Sequence, residues 1–189
     1  TMDLYSQYAE GDERKAVTLR TEYVSLKDGS IHESSIPLFG KYFEDGAKIP
    51  TESTINLHIL RYSDALLMYA EALNETGKTA DAYAYLNRVV ERAFNDANHN
   101  YSGLTQEGFR QAVWQERRLE LAFEGHRWFD LVRTGRFIQR MKEHSAYEAS
   151  VAESNKTEIA QNVKDYMILY PVPQREIDLN HNLTQNPGY

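Results

Sequence analysis

The 189-residue chain is long enough for one domain with its own hydrophobic core, and its 41% hydrophobic and 26% charged residues are typical of globular proteins. Its net charge of −7 argues against binding to nucleic-acid phosphates or anionic lipid surfaces, both of which favour a basic face. The absence of cysteine excludes disulfides and zinc–thiolate sites, and no apolar run approaches the roughly 20 residues of a membrane helix.

The two ends of the sequence indicate a segment of a longer protein. Thr1-Met2-Asp3 is not a natural initiation, and no signal-peptide pattern follows it. The sequence closes on residues 186–189, whose Asn-Pro-Gly-Tyr order is typical of a turn. We therefore expect that an upstream part is missing, with a trimmed complete protein as the alternative.

Residues 1–56 are predicted to form a β-hairpin and loops. A roughly alternating pattern over residues 16–26 favours a strand, and Asp28-Gly29 is a turn signal. Residues 31–43 can then pair back as the second strand. Glycine and proline break the chain after this hairpin, which predicts a loop to about Thr54.

Residues 57–144 are predicted to form a helical core. Apolar residues recur every three or four positions over residues 58–76, and the pattern resumes at a predicted N-cap, Thr79. We expect an antiparallel helical pair whose first helix stops at Gly77. Thr105 is a suitable N-cap for a third helix. The later predicted helices cover residues 105–123, 126–133 and 136–144.

Residues 145–189 are predicted to form a loop and an extended C-terminal tail. Polar residues dominate positions 146–163, which favours an exposed loop or a loosely attached helix. Pro171 and Pro173 fix an extended chain, and residues 174–189 lack helical periodicity. No domain boundary is visible, so we expect the whole chain to form a single unit.

Residues 116–133 form the most informative stretch, because acids and arginines alternate there with large apolar residues. Charges in such surroundings are expected to be partly buried, and buried charges must be paired because an unpaired one costs several kcal/mol. We therefore interpret these charges as a structural ion-pair network that joins helices. Its predicted members are Glu116, Arg117, Arg118, Glu120, Glu124, Arg127, Asp130 and Arg133.

The same acids suggest a weaker alternative, a glycoside hydrolase. Glu116, Glu120 and Glu124 are four residues apart, and helical neighbours at this spacing lie about 5–6 Å apart, a separation that glycosidases use. However, a general acid needs a raised pKa, whereas nearby arginines lower the pKa of a carboxyl group. Other catalytic motifs are missing and the six histidines are scattered. We therefore expect no catalytic residue, no metal and no cofactor.

Four strings between residues 61 and 189 stand out as family motifs. They are residues 61–74 (RYSDALLMYAEALN), 86–93 (LNRVVERA), 116–133 (ERRLELAFEGHRWFDLVR) and 170–189 (YPVPQREIDLNHNLTQNPGY). In this order they resemble three helical motifs and the closing motif of the SusD/RagB family, with Val90 in place of an arginine. Weaker upstream landmarks of the same kind are Asp12-x-Arg14 and Lys41-Tyr42.

This resemblance implies a mainly α fold, a SusD-like α/α arrangement with tetratricopeptide-like helical hairpins, long loops and a small β-hairpin. It implies a surface-exposed lipoprotein of the outer membrane of Bacteroidota-type bacteria, whose lipid anchor lies in the missing N-terminal part. It further implies non-catalytic glycan binding for uptake through a SusC-like TonB-dependent transporter. The expected partners are thus a glycan, that transporter and the missing upstream half of the protein.

The aromatic residues suggest where a glycan would bind, because sugar sites combine aromatic faces with polar groups. Of the thirteen tyrosines, Tyr101 and Tyr147 are predicted to be exposed and are the candidates for glycan contact. Trp114 and Trp128 are expected in the core. The alternative function is a tetratricopeptide-type protein–protein interaction module without sugar affinity, because residues 69–87 resemble one such hairpin.

Overall fold

The computed structural model describes residues 2–25, 27–44, 53–151 and 162–189. Helices dominate these residues and the two strands form one antiparallel sheet, which confirms the predicted mainly α class. None of the described helices is long and apolar enough to cross a membrane. In chain order the elements are α1 (Met2–Tyr5), α2 (Arg14–Thr18), β1 (Leu19–Val24), β2 (Ile31–Phe39), α3 (Tyr62–Glu75), α4 (Thr79–Phe94), α5 (Gln106–Glu120), α6 (Arg127–Arg133), α7 (Phe137–Val151), a 3₁₀ helix (Asp165–Ile168) and α8 (Gln174–Leu179).

The chain divides into two compact units, where the sequence predicts a single one. The first unit is Thr1–Arg127 and the second is Trp128–Tyr189. The hairpin and the first three long helices belong to the first unit, and the predicted subdivision at residues 56 and 144 stays a prediction.

The predicted β-hairpin is present, with shorter strands than the sequence suggests. β1 and β2 pair antiparallel, with Leu19 opposite Phe39. The start of the predicted first strand lies instead in α2, where the buried Arg14 anchors the backbone. Leu26 and residues 45–52, which the sequence assigns to the first strand and to the following loop, lie outside the described residues.

Helices α3 and α4 form the predicted helical hairpin, with Gly77 in the link at a φ of +79°. α3 begins at Tyr62 and not at His58, and residues 53–60 before it are all exposed, so little burial supports an earlier helical turn. Thr79 is the first residue of α4 and not its N-cap. Its hydroxyl donates a hydrogen bond of 2.8 Å back to a side chain of α3.

Helix α5 supplies the third helix of the core. Thr105 caps it as predicted, since its side chain accepts a hydrogen bond of 3.1 Å from the Gly108 amide. The helix ends at Glu120, earlier than predicted, because the chain then turns through Phe123 in the left-handed region at a φ of +64°. The buried apolar residues shared by α3, α4 and α5 are Leu66, Leu67, Ala70, Ala82, Leu86, Val89, Phe109, Ala112 and Val113.

The second unit contains more helix than the sequence predicts. α7 extends well past its predicted end, so Tyr147 lies on a helix and not in a polar loop. Residues 152–161 of that predicted loop lie outside the described part of the chain. The tail also holds α8, whose six residues are too few to reveal a periodicity. Trp128 packs edge-on against Phe137, with ring centroids 4.5 Å apart.

Candidate functional site

Three acidic side chains converge in the interior of the first unit. Glu116 and Glu120 lie one turn apart on α5, and Glu124 follows in the turn after the helix. Their side chains are only 3%, 1% and 2% exposed, respectively. Carboxylates this deeply buried need cationic or hydrogen-bonding partners to remain charged.

Glu120 lies at the centre of the cluster and has three arginine partners. Arg14 Nη1 contacts one carboxylate oxygen at 3.0 Å, and Arg61 Nη1 contacts the other at 2.5 Å. Arg92 Nη2 lies 2.6 Å from both oxygens. Burial by itself raises the pKa of Glu120, but the bonds and charges of the arginines outweigh burial and lower this pKa to about 2. Glu120 is thus fixed as a carboxylate.

Glu116 has a different electrostatic environment. Arg14 donates to the Glu116 carboxylate through Nη1. The other two nitrogens of Arg14, Nε and Nη2, bind the Asp12 carboxylate at 2.9 and 2.7 Å. Burial raises the pKa of Glu116, and the opposing charge of Arg14 does not cancel this effect. Arg14 thus lowers the pKa of Glu116 as expected for a nearby arginine, but burial is the larger effect and the net shift is upward.

Lys41 joins the turn after β2 to the turn after α5. Its ammonium group donates to the backbone carbonyls of Glu120 at 2.9 Å and Ala122 at 3.1 Å, and to Glu124 Oε1 at 2.5 Å. Arg61 binds the same Glu124 carboxylate through Nε at 2.6 Å and Nη2 at 2.8 Å. Both cations therefore satisfy buried carbonyls and carboxylates at the C-terminal end of α5, where the helix dipole favours positive charge.

We use the term Glu120 network for these three acids and their basic partners. The members of the Glu120 network are Glu116, Glu120, Glu124, Arg14, Lys41, Arg61 and Arg92. The predicted acids thus pair with cations on other elements. The sequence suggests instead that the acids and arginines of residues 116–133 balance one another.

The remaining predicted charges have separate positions. Arg117 pairs with Asp64 of α3 at 2.6 Å in a buried contact, and Arg118 pairs with Asp3 of α1 at 2.7 Å. Asp130 and Arg133, both on α6, pair with each other at 2.9 Å. The predicted residues placed on α6 are Arg127, Asp130 and Arg133.

Sequence reasoning missed the basic residues that hold the acids. A signal for them exists, since they fall on the weak landmarks Asp12-x-Arg14 and Lys41-Tyr42 and in the strings 61–74 and 86–93. That signal marks positions without specifying partners, because the partners of Glu120 come from three distant parts of the chain.

A cavity of about 340 Å³ opens beside the Glu120 network. Its volume lies in the range of small-molecule pockets. Its lining includes both charged groups and the rings of Tyr42 and His58, so it can offer both hydrogen bonds and ring faces. The residues that line it are Glu13, Arg14, Val17, Thr18, Lys41, Tyr42, His58, Arg61, Arg92, Ala93, Glu120 and Glu124.

A sequence model of the SusD family matches residues 26–189 of the chain. The chain belongs to the SusD family. A SusD-like protein of Formosa agariphila is 30% identical over 194 residues, which cover 99% of this chain and 34% of that protein. The chain thus spans about a third of the length of this curated relative.

Solved structures of SusD-family proteins have the same fold. A SusD homologue from Bacteroides thetaiotaomicron superposes with a TM-score of 0.77 at 27% identity, covering all of this chain and 42% of that one. The surface glycan-binding protein A of the same species, solved in complex with laminarihexaose, gives a TM-score of 0.67 at 26% identity. That match covers 98% of this chain and 40% of the glycan-binding protein.

The aromatic residues singled out in this SusD-family chain differ from prediction in their exposure. Tyr101 is half-buried against the α3–α4–α5 core, and burial raises its pKa to about 12. Its exposure was predicted wrongly, because its amide and carbonyl bind the Asn87 side chain at 2.9 and 3.0 Å and draw the residue inward. Tyr147 is half-buried on α7. Trp114 and Trp128 are also half-buried, although the sequence analysis places both in the core.

Proposed function

We propose that this protein binds glycans at the bacterial cell surface without cleaving them. The observation that carries the proposal is the likeness, in both sequence and fold, to a surface glycan-binding protein solved with laminarihexaose. The cavity beside the Glu120 network agrees with it, because polar groups next to aromatic rings suit a sugar.

The chemistry of the buried acids favours binding over catalysis. Glu120 has a pKa of about 2, so it holds no proton to donate near neutral pH. Glu116 has a raised pKa, but its side chain is only 3% exposed and bound to Arg14, so a glycosidic oxygen has no access to it. The two acids also lie on one helix face, whereas hydrolysis needs carboxyls on opposite sides of the bond.

We further propose the cellular setting that the family resemblance implies. The protein is a lipoprotein of the outer membrane, anchored through its N-terminal part, and it passes glycans to a SusC-like TonB-dependent transporter. Co-purification of that transporter from membranes of the source bacterium tests the partnership. Recovery of the protein in the soluble fraction after membrane separation would contradict the location.

The outer face of α3 supports contact with further parts of the same protein. Tyr62, Met68 and Tyr69 are 61%, 45% and 49% exposed, and Leu60 just before the helix is 63% exposed. A lone tetratricopeptide-like hairpin leaves such a face uncovered. We expect the upstream half to cover it, so hydrogen exchange of α3 should be slower in the full-length protein than in residues 1–189 alone. Equal protection in both would contradict this.

Isothermal titration of the full-length protein with a panel of glucans, including laminarihexaose, tests the binding proposal directly. We expect saturable heat with at least one glycan and no release of reducing ends over hours. Reducing-end release that disappears in Glu116→Gln would favour the hydrolase instead. The absence of binding to the whole panel would favour the protein-interaction alternative.

A further inference from the structure

Four ring side chains form a partly exposed cluster in the first unit, which we call the aromatic cluster: Phe39, Tyr42, His58 and Phe123. Phe39 packs edge-on against Phe123 with centroids 4.9 Å apart, and it lies 6.4 Å from Tyr42. Tyr42 stacks on His58 at 6.3 Å. Phe39 and Phe123 are 49% and 44% exposed, although large apolar residues of this kind are expected to be buried.

The backbone of the aromatic cluster is strained at two positions. Tyr42 and Phe123 both have a φ of +64°, a left-handed conformation that costs roughly 1–3 kcal/mol for a bulky residue. Such strain persists only where the surrounding contacts impose it, and it is frequent at binding sites. The two strained residues lie on different turns, yet both present rings to the same cluster.

Lys41 connects the two strained turns. It directly precedes Tyr42, and its three hydrogen bonds hold the carbonyls of Glu120 and Ala122 and the carboxylate of Glu124, which surround Phe123 in the chain. The interior of the Glu120 network therefore fixes the distance between the two strained turns.

The aromatic cluster continues into the 340 Å³ cavity, since Tyr42 and His58 line both. The cations at that boundary are already satisfied. Each N–H of Lys41 has an acceptor, and all five N–H groups of Arg61 are directed to Ser63, Glu120 and Glu124. Little uncompensated charge is left to attract an ionic ligand.

A hydrogen-bond donor nevertheless remains at the cavity edge. Arg92 binds Glu120 through Nη2, and its side chain is 59% exposed, so its other nitrogens can reach ligand hydroxyls. A surface with exposed ring faces, a neutralised floor and a few peripheral donors suits an uncharged sugar, whose faces are apolar and whose rim carries hydroxyls.

We propose that the aromatic cluster and the adjoining cavity form a binding subsite for one or two units of a neutral glycan. Phe39 and Phe123 contact the sugar face, and His58 and Arg92 bind its hydroxyls. The proposal rests on the glycan-binding function proposed above and names the surface that performs it in this part of the chain.

The test is isothermal titration of the full-length protein with laminarihexaose, maltohexaose and cellohexaose, with three variants. Phe39→Leu keeps an apolar side chain but removes the flat face. Phe123→Asn removes the ring and suits the left-handed backbone, so it should fold without added strain. Phe129→Leu is the matched control, because Phe129 is 69% exposed and lies outside the cluster. Urea midpoints establish that each variant is folded.

We expect Phe39→Leu and Phe123→Asn each to weaken binding by about fivefold or more, while Phe129→Leu leaves it unchanged. Unchanged affinity in both cluster variants, with binding retained in the parent, overturns the subsite and leaves the proposed function standing. If the parent binds no hexasaccharide and no glycan of the wider panel, the proposed function fails and the subsite with it.

Discussion

Replacement of Glu120 by glutamine isolates the contribution of a buried charge to stability. Glutamine has nearly the same shape as a protonated glutamate, so Glu120→Gln mimics the loss of ionisation. The pKa of Glu120 falls from 4.5 to about 2 in the folded protein. Since one pKa unit corresponds to about 1.4 kcal/mol, the ionised form is favoured by about 3 kcal/mol, and the variant should lose about that much stability at pH 7.

The effect has a predictable pH dependence. The folded pKa of Glu120 lies below its unfolded value of 4.5, so its stabilisation is complete above about pH 4.5 and disappears as the pH falls towards 2. Glu116 has the opposite sign, because its folded pKa is raised and its contribution is lost as the pH rises through and above 4.5. Because Glu116 is present in both proteins, most of its contribution cancels when the stability of the variant is subtracted from that of the parent.

Urea denaturation of the full-length parent and of Glu120→Gln between pH 7 and pH 2.5 measures this difference. Glu107→Gln is the control, because Glu107 lies at the exposed start of α5 and its ion pair should contribute less than about 1 kcal/mol. A loss below 1 kcal/mol at pH 7 for Glu120→Gln, or a loss that does not shrink at acid pH, would refute the assignment of Glu120 as a stabilising buried carboxylate.

Further predictions concern single contacts elsewhere in the fold. Asp64→Asn should cost about 3–5 kcal/mol because it removes the negative charge that Asp64 places 2.6 Å from the buried Arg117, whereas the double replacement Asp64→Leu/Arg117→Met should cost less; urea midpoints of all three proteins decide this. Phe109→Ala should cost about 3–5 kcal/mol by creating a cavity in the α3–α4–α5 core, and a loss under 1 kcal/mol would mean that this core is loosely packed. Gly188→Ala should release the C-terminal tail, since the added Cβ would lie 2.3 Å from the Tyr166 ring at a φ of +99°, and unchanged hydrogen exchange of residues 166–189 would contradict this.

Short-range patterns predicted the elements well where each depends on its own residues. The helical hairpin closed by Gly77 and the cap at Thr105 are confirmed, because apolar periodicity and capping are local properties. The first residue of α3 and the last residue of α5 were predicted wrongly. They depend on which side chains find packing, and in α5 on the left-handed turn at Phe123.

The candidate site was only partly predictable. The string 116–133 indicated acids that must be neutralised, and Glu116, Glu120 and Glu124 are indeed deeply buried. Their cationic partners were not predictable, since opposite charges of the same string offered a simpler pairing. The exposed rings of the aromatic cluster were also missed, because a sequence does not specify which of its aromatic residues remain outside the core.

The amino-acid sequence by itself determined the family, the helical class and the requirement that the charges near α5 be neutralised, because these follow from residue order and composition. Only the tertiary structure decided which charges meet. Arg14 and Glu120 are 106 positions apart, and a bond between them forms because the fold brings the first residue of α2 next to the last residue of α5. A Coulomb interaction depends on the distance between two charges in space, and the sequence alone does not specify that distance.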